Sequence, residues 1–230
     1  MAPTIIGNGT LVTCDEQRRV IDGGAIVIDD GVIAAVGDGA ALRASFPHAD
    51  WLDARGQFIM PGMICAHTHT YGAFARGMAL KDPPPETFLQ ILERLWWRLD
   101  RALQPDDVRY SALVCLIDAI RHGVTTLIDH HASPNACTGS LDVLAEAFAE
   151  AGVRGCLSYE VSDREGREKA QQAIRENERF ARRLRRAGRP GQAAPMLAAM
   201  MGLHSAFTLS DETIGQAASV ARDLGIGCHL

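Results

Sequence analysis

The stretch that decides the fold runs from Phe58 to His69 and reads Phe-Ile-Met-Pro-Gly-Met-Ile-Cys-Ala-His-Thr-His. Its apolar residues predict a buried strand over 59–66, entered through the Pro61-Gly62 bend and followed by two histidines. Because side chains i and i+2 of a strand project to the same side, His67 and His69 should lie about 6.6 Å apart at Cα and aim both rings at one point. Two imidazoles at that separation can bind one metal ion. The stretch therefore predicts that His67 and His69 are metal ligands; the alternative is a pair of polar residues that only closes a strand.

The composition is that of a globular protein with ample apolar material for a core. Of the 230 residues, 47% are hydrophobic and 22% charged, and the formal net charge is −5, which predicts neither a nucleic-acid partner nor an anionic membrane partner. The N-terminal residues lack the pattern of a signal peptide, and no apolar run approaches the ~18 residues of a membrane span. Six scattered cysteines without a C-x-x-C pair fit free thiols. We therefore expect a cytoplasmic protein.

The first 57 residues predict a small β-domain. Four β-branched runs, at 4–6, 10–13, 24–28 and 32–36, are separated by turns rich in glycine and aspartate, among them Gly7-Asn8-Gly9. Asp30-Gly31 between two apolar runs is typical of a hairpin. No catalytic constellation occurs in this part of the sequence.

From residue 58 onward, predicted strands alternate with predicted helices. The strands fall at 59–66, 124–128, 153–161, 196–203 and 226–230, and Ser140 is the predicted cap of one of the helices between them. Such alternation indicates parallel strands joined by crossover helices. An eight-unit α/β barrel uses about 31 residues per unit, so residues 58–230 suffice for about five of the eight units. The sequence favours part of an α/β barrel over an unfamiliar open fold.

Polar side chains collect where these strands end, which is where barrels of this type carry their chemistry. The residues predicted there are His67, His69, Asp129, His130, His131, Glu160, Asp163, His204 and His229. A single histidine at a strand end can equally be a structural residue, and this alternative stays open for His130, His131 and His204.

Several motifs in the sequence resemble those of the amidohydrolase superfamily. They are Pro61-Gly62 before His67-Thr68-His69, Arg76-Gly77, Gly123-Val-Thr-Thr-Leu-Ile-Asp129 and Gly202-Leu203-His204. More narrowly, the chain is similar to the N-terminal half of the aminohydrolase and chlorohydrolase branch, and 128–135 and 159–164 resemble SsnA-type aminohydrolases. The resemblance implies part of a small β-sandwich over 1–57. It implies an incomplete (β/α)8, or TIM-type, metal-dependent hydrolase barrel over 58–230, in which a metal-bound water attacks the substrate.

The resemblance also implies roles for individual histidines. His67 and His69 match the first two metal ligands, and His204 matches a histidine that contacts substrate. His229 matches the first, non-ligand histidine of a His-x-His-x-x-Glu motif on the fifth strand; the alternative is that His229 is itself the ligand. The proton-shuttling Glu of that motif is expected beyond Leu230, so no catalytic residue is assigned within the chain.

Further site residues match the branch less closely. Asp100 stands where relatives carry the substrate-contacting Glu of Trp-Pro-x-Glu, and Asp129 and His131 are additional candidates. An arginine that some nucleoside deaminases use on the third strand has no clear match, because Tyr159-Glu160 stand nearby. Nucleoside substrates are therefore not expected.

One divalent metal ion is predicted. Relatives with two ions bridge them with a carboxylated lysine at the end of the fourth strand, but that position holds His204, and neither Lys81 nor Lys169 lies near a strand end. Imidazole ligands suit either Zn²⁺ or Fe²⁺.

The resulting hypothesis is a metal-dependent hydrolase of the aminohydrolase or deaminase type. It would use a metal-activated water on a C–N bond of a small heterocyclic or amidine-like substrate. Two alternatives remain: a truncated, catalytically inactive polypeptide, and a hydrolytic dehalogenase on the same scaffold. We expect a small-molecule substrate and no nucleic-acid or membrane partner, and homo-oligomerisation is left open.

Overall fold

The computed structural model describes residues 2–79, 81–187 and 196–230, which fall into two compact units. The first unit ends at Gly62 and the second begins at Met63. Within the described ranges, no helix is both long enough and apolar enough to cross a membrane.

The first unit is a mixed five-stranded sheet with one helix. Its elements are β1 (Thr4–Val12), β2 (Val20–Asp29), β3 (Val32–Asp38), α1 (Gly39–Ser45), β4 (Asp50–Asp53) and β5 (Phe58–Ile59). The sheet order is β3-β2-β1-β4, with β5 also paired to β1. The buried side chains of Ile5, Ala25 and Val27 form its core. Asp30 and Gly31 both have positive φ, 47° and 77°, as the predicted hairpin turn between β2 and β3 requires.

The predicted turn at Gly7-Asn8-Gly9 is wrong, because β1 runs through it as one strand with a bulge. The register to β2 shifts on both sides of Gly9, and Asn8 has a positive φ of 59°. The side-chain amide of Asn8 donates to Asp53 Oδ1 at 2.6 Å, so a hydrogen bond connects the bulge to β4. A Cβ at Gly7 would lie 2.4 Å from the ring of Trp51, which explains a glycine inside the strand.

The second unit is a parallel sheet covered by helices. Its strands are β6 (Met63–Thr68), β7 (Val124–His131), β8 (Arg154–Val161), β9 (Leu197–Ala199), β10 (Met201–Leu203) and β11 (Cys228–His229). Its α-helices are α2 (Phe88–Ile91), α3 (Trp97–Ala102), α4 (Pro105–Arg121), α5 (Ser140–Ala151), α6 (Arg167–Ala187) and α7 (Asp211–Asp223). A π-helical turn, Leu92–Trp96, joins α2 to α3, and two 3-10 turns lie at Thr70–Ala75 and Ala206–Thr208.

The sheet order is β11-β10-β8-β7-β6, with β9 also on β8, and all pairings are parallel. This is the predicted partial barrel, in which β9 and β10 are two pieces of the fourth predicted strand. Between them, Met200 still donates its N–H to the carbonyl of Leu157 on β8. Buried residues of the helices and strands, including Leu116, Leu144, Phe148, Leu157 and Phe180, form one core between the two layers.

The single strand predicted over 59–66 is wrong. Phe58–Ile59 pairs with β1 in the first unit, whereas Met63–Thr68 pairs with β7 in the second. Pro61 has no N–H to donate to a ladder, so a sheet cannot continue regularly through it. The predicted second strand was too short, because β7 continues past Ile128 to His131.

Candidate metal and substrate site

His67 and His69 are brought together as the alternation of side chains predicts. Strand β6 ends at Thr68 and His69 stays extended, with φ −128°, before the next 3-10 turn. The two Nε2 atoms are 3.2 Å apart and the ring centroids 4.8 Å apart. Both imidazoles therefore point at a common position beyond the end of the strand.

A backbone carbonyl orients the ring of His69. Its Nδ1 lies 2.6 Å from the carbonyl oxygen of His130. Because a carbonyl only accepts, Nδ1 must carry the proton, and in the neutral ring the lone pair is then on Nε2. This is the arrangement in which histidine ligands are commonly held, with one ring nitrogen donating to the protein and the other facing the metal.

Two further histidines complete a group that we call the histidine cluster: His67, His69, His130 and His229. His67 Nδ1 is 2.8 Å from His229 Nε2, and ligand atoms of His67, His130 and His229 all lie within 4.8 Å of one another. Burial lowers the pKa of His69, His130 and His229, for His130 well below its usual range. Neutral rings are the form that binds metal.

The cluster fits a transition-metal ion. His130 Nε2 is buried and has no hydrogen-bond partner within the described ranges. Its lone pair or proton is therefore unsatisfied, which is uncommon for a buried polar atom. The ring nitrogens of these imidazoles lie close together and form a donor set suited to zinc or iron. The residues present are thus compatible with the metal dependence that the sequence predicts.

Asp129 and His131 do not join the cluster, although the sequence made them candidates. They alternate with His130 along β7 and lie on the opposite face of the strand. Asp129 is buried and its Oδ1 accepts from the N–H of Thr70 at 2.7 Å; burial raises the pKa of this carboxyl to about 7. His131 Nε2 lies 2.9 Å from Ser133 Oγ, and burial lowers its pKa to about 3. Neither side chain lines the cleft into which His67 and His69 open.

The histidines open into a cleft of about 280 Å³ in the second unit. Its lining consists of four histidines, two carboxylates and a mainly apolar wall: His67, His69, His130, His204, Asp100, Glu160, Tyr71, Phe88, Leu92, Trp96, Trp97, Leu203, Ser205 and Leu230. The predicted metal and substrate residues thus face one space. Size and lining suit a small, flat organic molecule.

The two predicted substrate residues are held by neighbouring polar groups. His204 Nδ1 lies 2.7 Å from Thr208 Oγ1, and burial lowers the pKa of its ring to about 4. Asp100 accepts from Arg164 Nη2 at 2.6 Å, and both side chains are buried. Neither Lys81 nor Lys169 lines the cleft; Lys169 donates to the carbonyl of Pro134.

Sequence reasoning left two residues of the cleft without a role, His130 and Glu160, together with Arg164, which pairs with Glu160. The alternation of β7 distinguishes His130 from His131 only once the strand is known to run three residues past Ile128, which the local sequence pattern does not indicate. Glu160 and Arg164 are oppositely charged, four residues apart and at the end of a predicted strand. This spacing was the signal in the sequence that could have indicated an ion pair at the site.

Comparison with known proteins agrees with this geometry. The profile of the Amidohydrolase family matches residues 58–230, and that of an imidazolonepropionase-like composite domain of bacteria matches residues 24–49. The chain is 31% identical over 210 residues to the 5-methylthioadenosine/S-adenosylhomocysteine deaminase of Pyrococcus furiosus, covering 91% of this chain and 45% of that protein. It is 29% identical to the 5'-deoxyadenosine deaminase of Methanosarcina mazei, over 100% of this chain and 49% of that protein.

A solved structure shares the fold. The zinc complex of the atrazine chlorohydrolase of Arthrobacter aurescens superposes with a TM-score of 0.76 at 22% identity, over 98% of this chain and 52% of that one. This likeness confirms the predicted partial TIM-type barrel. The chain spans about half the length of the curated relatives it matches. With a family profile that covers the whole second unit and a histidine cluster at the strand ends, this chain belongs to the amidohydrolase family.

Proposed function

We propose that this chain carries the metal-binding and part of the substrate-binding machinery of a hydrolase that acts on a C–N bond of a small heterocyclic or amidine-like molecule. The observation that carries the proposal is the meeting of four imidazoles at the mouth of a 280 Å³ cleft lined by Asp100 and His204. The deaminase names of the relatives support the same class of reaction.

We assign His67 and His69 to one divalent ion, Zn²⁺ or Fe²⁺. When bound, such an ion supplies the Lewis acidity that brings the pKa of a water molecule toward neutrality. His69 keeps its Nε2 lone pair available because its Nδ1 proton is held by the carbonyl of His130. A single ion is supported by His204 at the end of β10, where two-metal relatives would need a lysine, and by the engagement of Lys169 with Pro134.

The remaining cleft residues bind and orient the substrate. Asp100 offers a carboxylate whose Oδ1 is without a hydrogen-bond donor in the described part of the chain. His204, kept neutral by burial, can donate or accept through its free ring nitrogen. The aromatic rings of Phe88, Trp96 and Trp97 restrict access of water to the substrate.

We further propose that the protein acts in the cytoplasm on a small molecule, without nucleic-acid or membrane partners. The six cysteines, all within the described ranges, are free thiols, as a reducing compartment would keep them. Assembly into a homo-oligomer is compatible with this proposal and would be measured by light scattering.

The test is hydrolysis by the purified, metal-reconstituted protein. With a panel of amino-substituted pyrimidines, purines and triazines, we expect ammonia release together with about one bound metal per chain. His67→Ala should lower both by at least roughly tenfold, because it removes a ligand. His122→Ala is the matched control, since His122 is exposed at the opposite end of β7.

Chloride release from chlorinated analogues, measured in parallel, distinguishes the hydrolytic dehalogenase from the aminohydrolase. A chain that binds metal but releases neither product would be the inactive polypeptide, and this result would overturn the proposed activity.

A further inference from the structure

Two carboxylates line the cleft beside the histidine cluster, those of Asp100 and Glu160, and they share the guanidinium of Arg164, which does not itself line the cleft. We call these three residues the acidic wall. All three side chains are buried, at 1%, 4% and 6% exposure. Arg164 Nη2 donates to Asp100 Oδ2 at 2.6 Å, and its Nε lies 3.3 Å from Glu160 Oε1. Two buried carboxylates thus share a single cation.

The groups around the acidic wall do not balance this charge. Within the described ranges, Arg164 is the only cation paired with either carboxylate. The nearest other acid, Glu165, lies 3.8 Å from Arg164 Nη1 and is already paired with Arg101. Burial keeps His204, another residue of the cleft, neutral. The wall therefore has an excess of one negative charge when both carboxyls are ionised.

One oxygen of each carboxylate in the acidic wall also lacks a well-placed hydrogen-bond donor. Asp100 Oδ1 is buried and accepts no hydrogen bond from a group in the described ranges, and Glu160 Oε1 has only the ion-pair contact with Arg164 Nε at 3.3 Å. Burial raises the pKa of both carboxyls, for Glu160 to about 7. Leaving such acceptors without donors is unfavourable, and a ligand that supplies N–H groups would remove the penalty.

The rest of the cleft determines the shape of that ligand. Phe88, Leu92, Trp96 and Trp97 line the same space with apolar, mostly flat surfaces. Arg164 itself stacks 5.2 Å from the centre of the Trp97 ring, which holds the guanidinium in place against the wall. A planar ligand can therefore lie along the aromatic side chains with its N–H groups toward the carboxylates.

We propose that Glu160, together with Asp100, selects substrates with a cationic, N–H-rich end, namely an amidinium or a protonated amino-heterocycle, and rejects anions. This inference rests on the proposed function, in that it names the substrate class of the same cleft. Glu160 is the residue that makes the wall acidic, because Asp100 alone would be balanced by Arg164.

The test uses three probes of one shape and different charge: benzamidine, benzamide and benzoate. At about pH 8, where an amidine is cationic and the acidic wall is ionised, calorimetry on the full chain should show benzamidine binding at least roughly tenfold more tightly than benzamide. Benzoate should not bind measurably. Glu160→Gln should abolish the preference for benzamidine, and Glu160→Asp should restore part of it.

Glu165→Gln is the matched control, because Glu165 touches the same arginine but does not line the cleft, and it should keep the preference. Equal binding of the three probes, tighter binding of benzoate, no binding at millimolar concentration, or an unchanged preference in Glu160→Gln would each overturn the inference. If the Gln variant lost its native circular dichroism, the comparison of the three probes on the unsubstituted chain would still decide.

The same titrations run with and without added zinc separate this inference from the proposed function. The preference for the amidine should persist without metal, since the carboxylates make the contact. Ammonia release and metal binding without any preference for benzamidine would support the proposed function. That result would exclude the acidic wall as the group that selects the substrate.

Discussion

At the scale of single residues, the cleft contains charge and polarity that folding alone would not select. Glu160 is buried and shares Arg164 with Asp100, and His130 keeps a buried ring nitrogen without a partner in the described ranges. Buried groups of this kind lower the stability of the fold, and they are often found at binding or catalytic sites. Substituting such a group should therefore change the free energy of unfolding.

Glu160→Gln should stabilise the chain at high pH and leave it unchanged at low pH. Burial raises the pKa of the folded Glu160 carboxyl from 4.5 to about 7, so the unfolded chain loses its proton first as pH rises. The free energy of unfolding of the unsubstituted chain therefore falls between pH 4.5 and about pH 7, and it stays lower above that range. Since one pKa unit corresponds to 1.36 kcal/mol, the glutamine should raise the free energy of unfolding by up to about 3 kcal/mol at about pH 8.

Urea denaturation at a series of pH values measures this difference. It should vanish below about pH 4.5, where the carboxyl is protonated in both states. Glu165→Gln, whose side chain is 24% exposed, should follow the unsubstituted chain throughout. A glutamine variant that is less stable than the parent at pH 8 would contradict the view that Glu160 is held at a cost.

At the scale of elements, a glutamate from one helix closes the end of another. The sequence predicts Ser140 as the cap of α5, but the helix begins at Ser140, and its hydroxyl donates to the carbonyl of Cys137 at 2.7 Å. Glu176 of α6 instead accepts from the N–H groups of Gly139 and Leu141, at 3.1 and 3.2 Å. A cap supplied from a residue 35 positions away cannot be recognised from local sequence.

Glu176→Ala should therefore lower the free energy of unfolding by roughly 2–4 kcal/mol, because it leaves the N–H groups of Gly139 and Leu141 without their acceptor. Glu178→Ala on the same helix, which removes a partly exposed pair with Arg182, should cost less than about 0.5 kcal/mol. Chemical denaturation of both variants checks the contrast. Equal losses would contradict the assignment of Glu176 as the cap.

At the scale of the whole molecule, the order of strands and the rim of histidines could be predicted from the sequence. Alternating apolar strands and helices were enough for a parallel partial barrel, and the spacing of His67 and His69 was enough to bring their two rings together. These predictions succeed because the period of a strand places i and i+2 side chains on one face over short distances.

What could not be predicted depends on contacts between distant residues. The end of β7 decided whether His130 or His131 faces the cleft, and that end is set by pairing with Ser158 and Tyr159 on β8. The partnership of Asp100 with Arg164 spans 64 positions along the chain. The split of the 59–66 segment between two sheets also follows from pairing partners that the local pattern does not contain.

The central claim is that imidazoles of the histidine cluster bind a metal at the end of β6, and X-ray absorption of the zinc-loaded chain tests it most directly. We predict a shell of nitrogen or oxygen neighbours at about 2.0–2.1 Å with imidazole scattering, lost in the double variant His67→Ala/His69→Ala and retained in His122→Ala. Cys65 and Cys228 lie close in sequence to His67 and His229. The alternative is therefore zinc bound by these thiols, which sulfur neighbours would distinguish from imidazole ligands. A sulfur shell at about 2.3 Å, or zinc that stays bound in the double variant, would contradict the account.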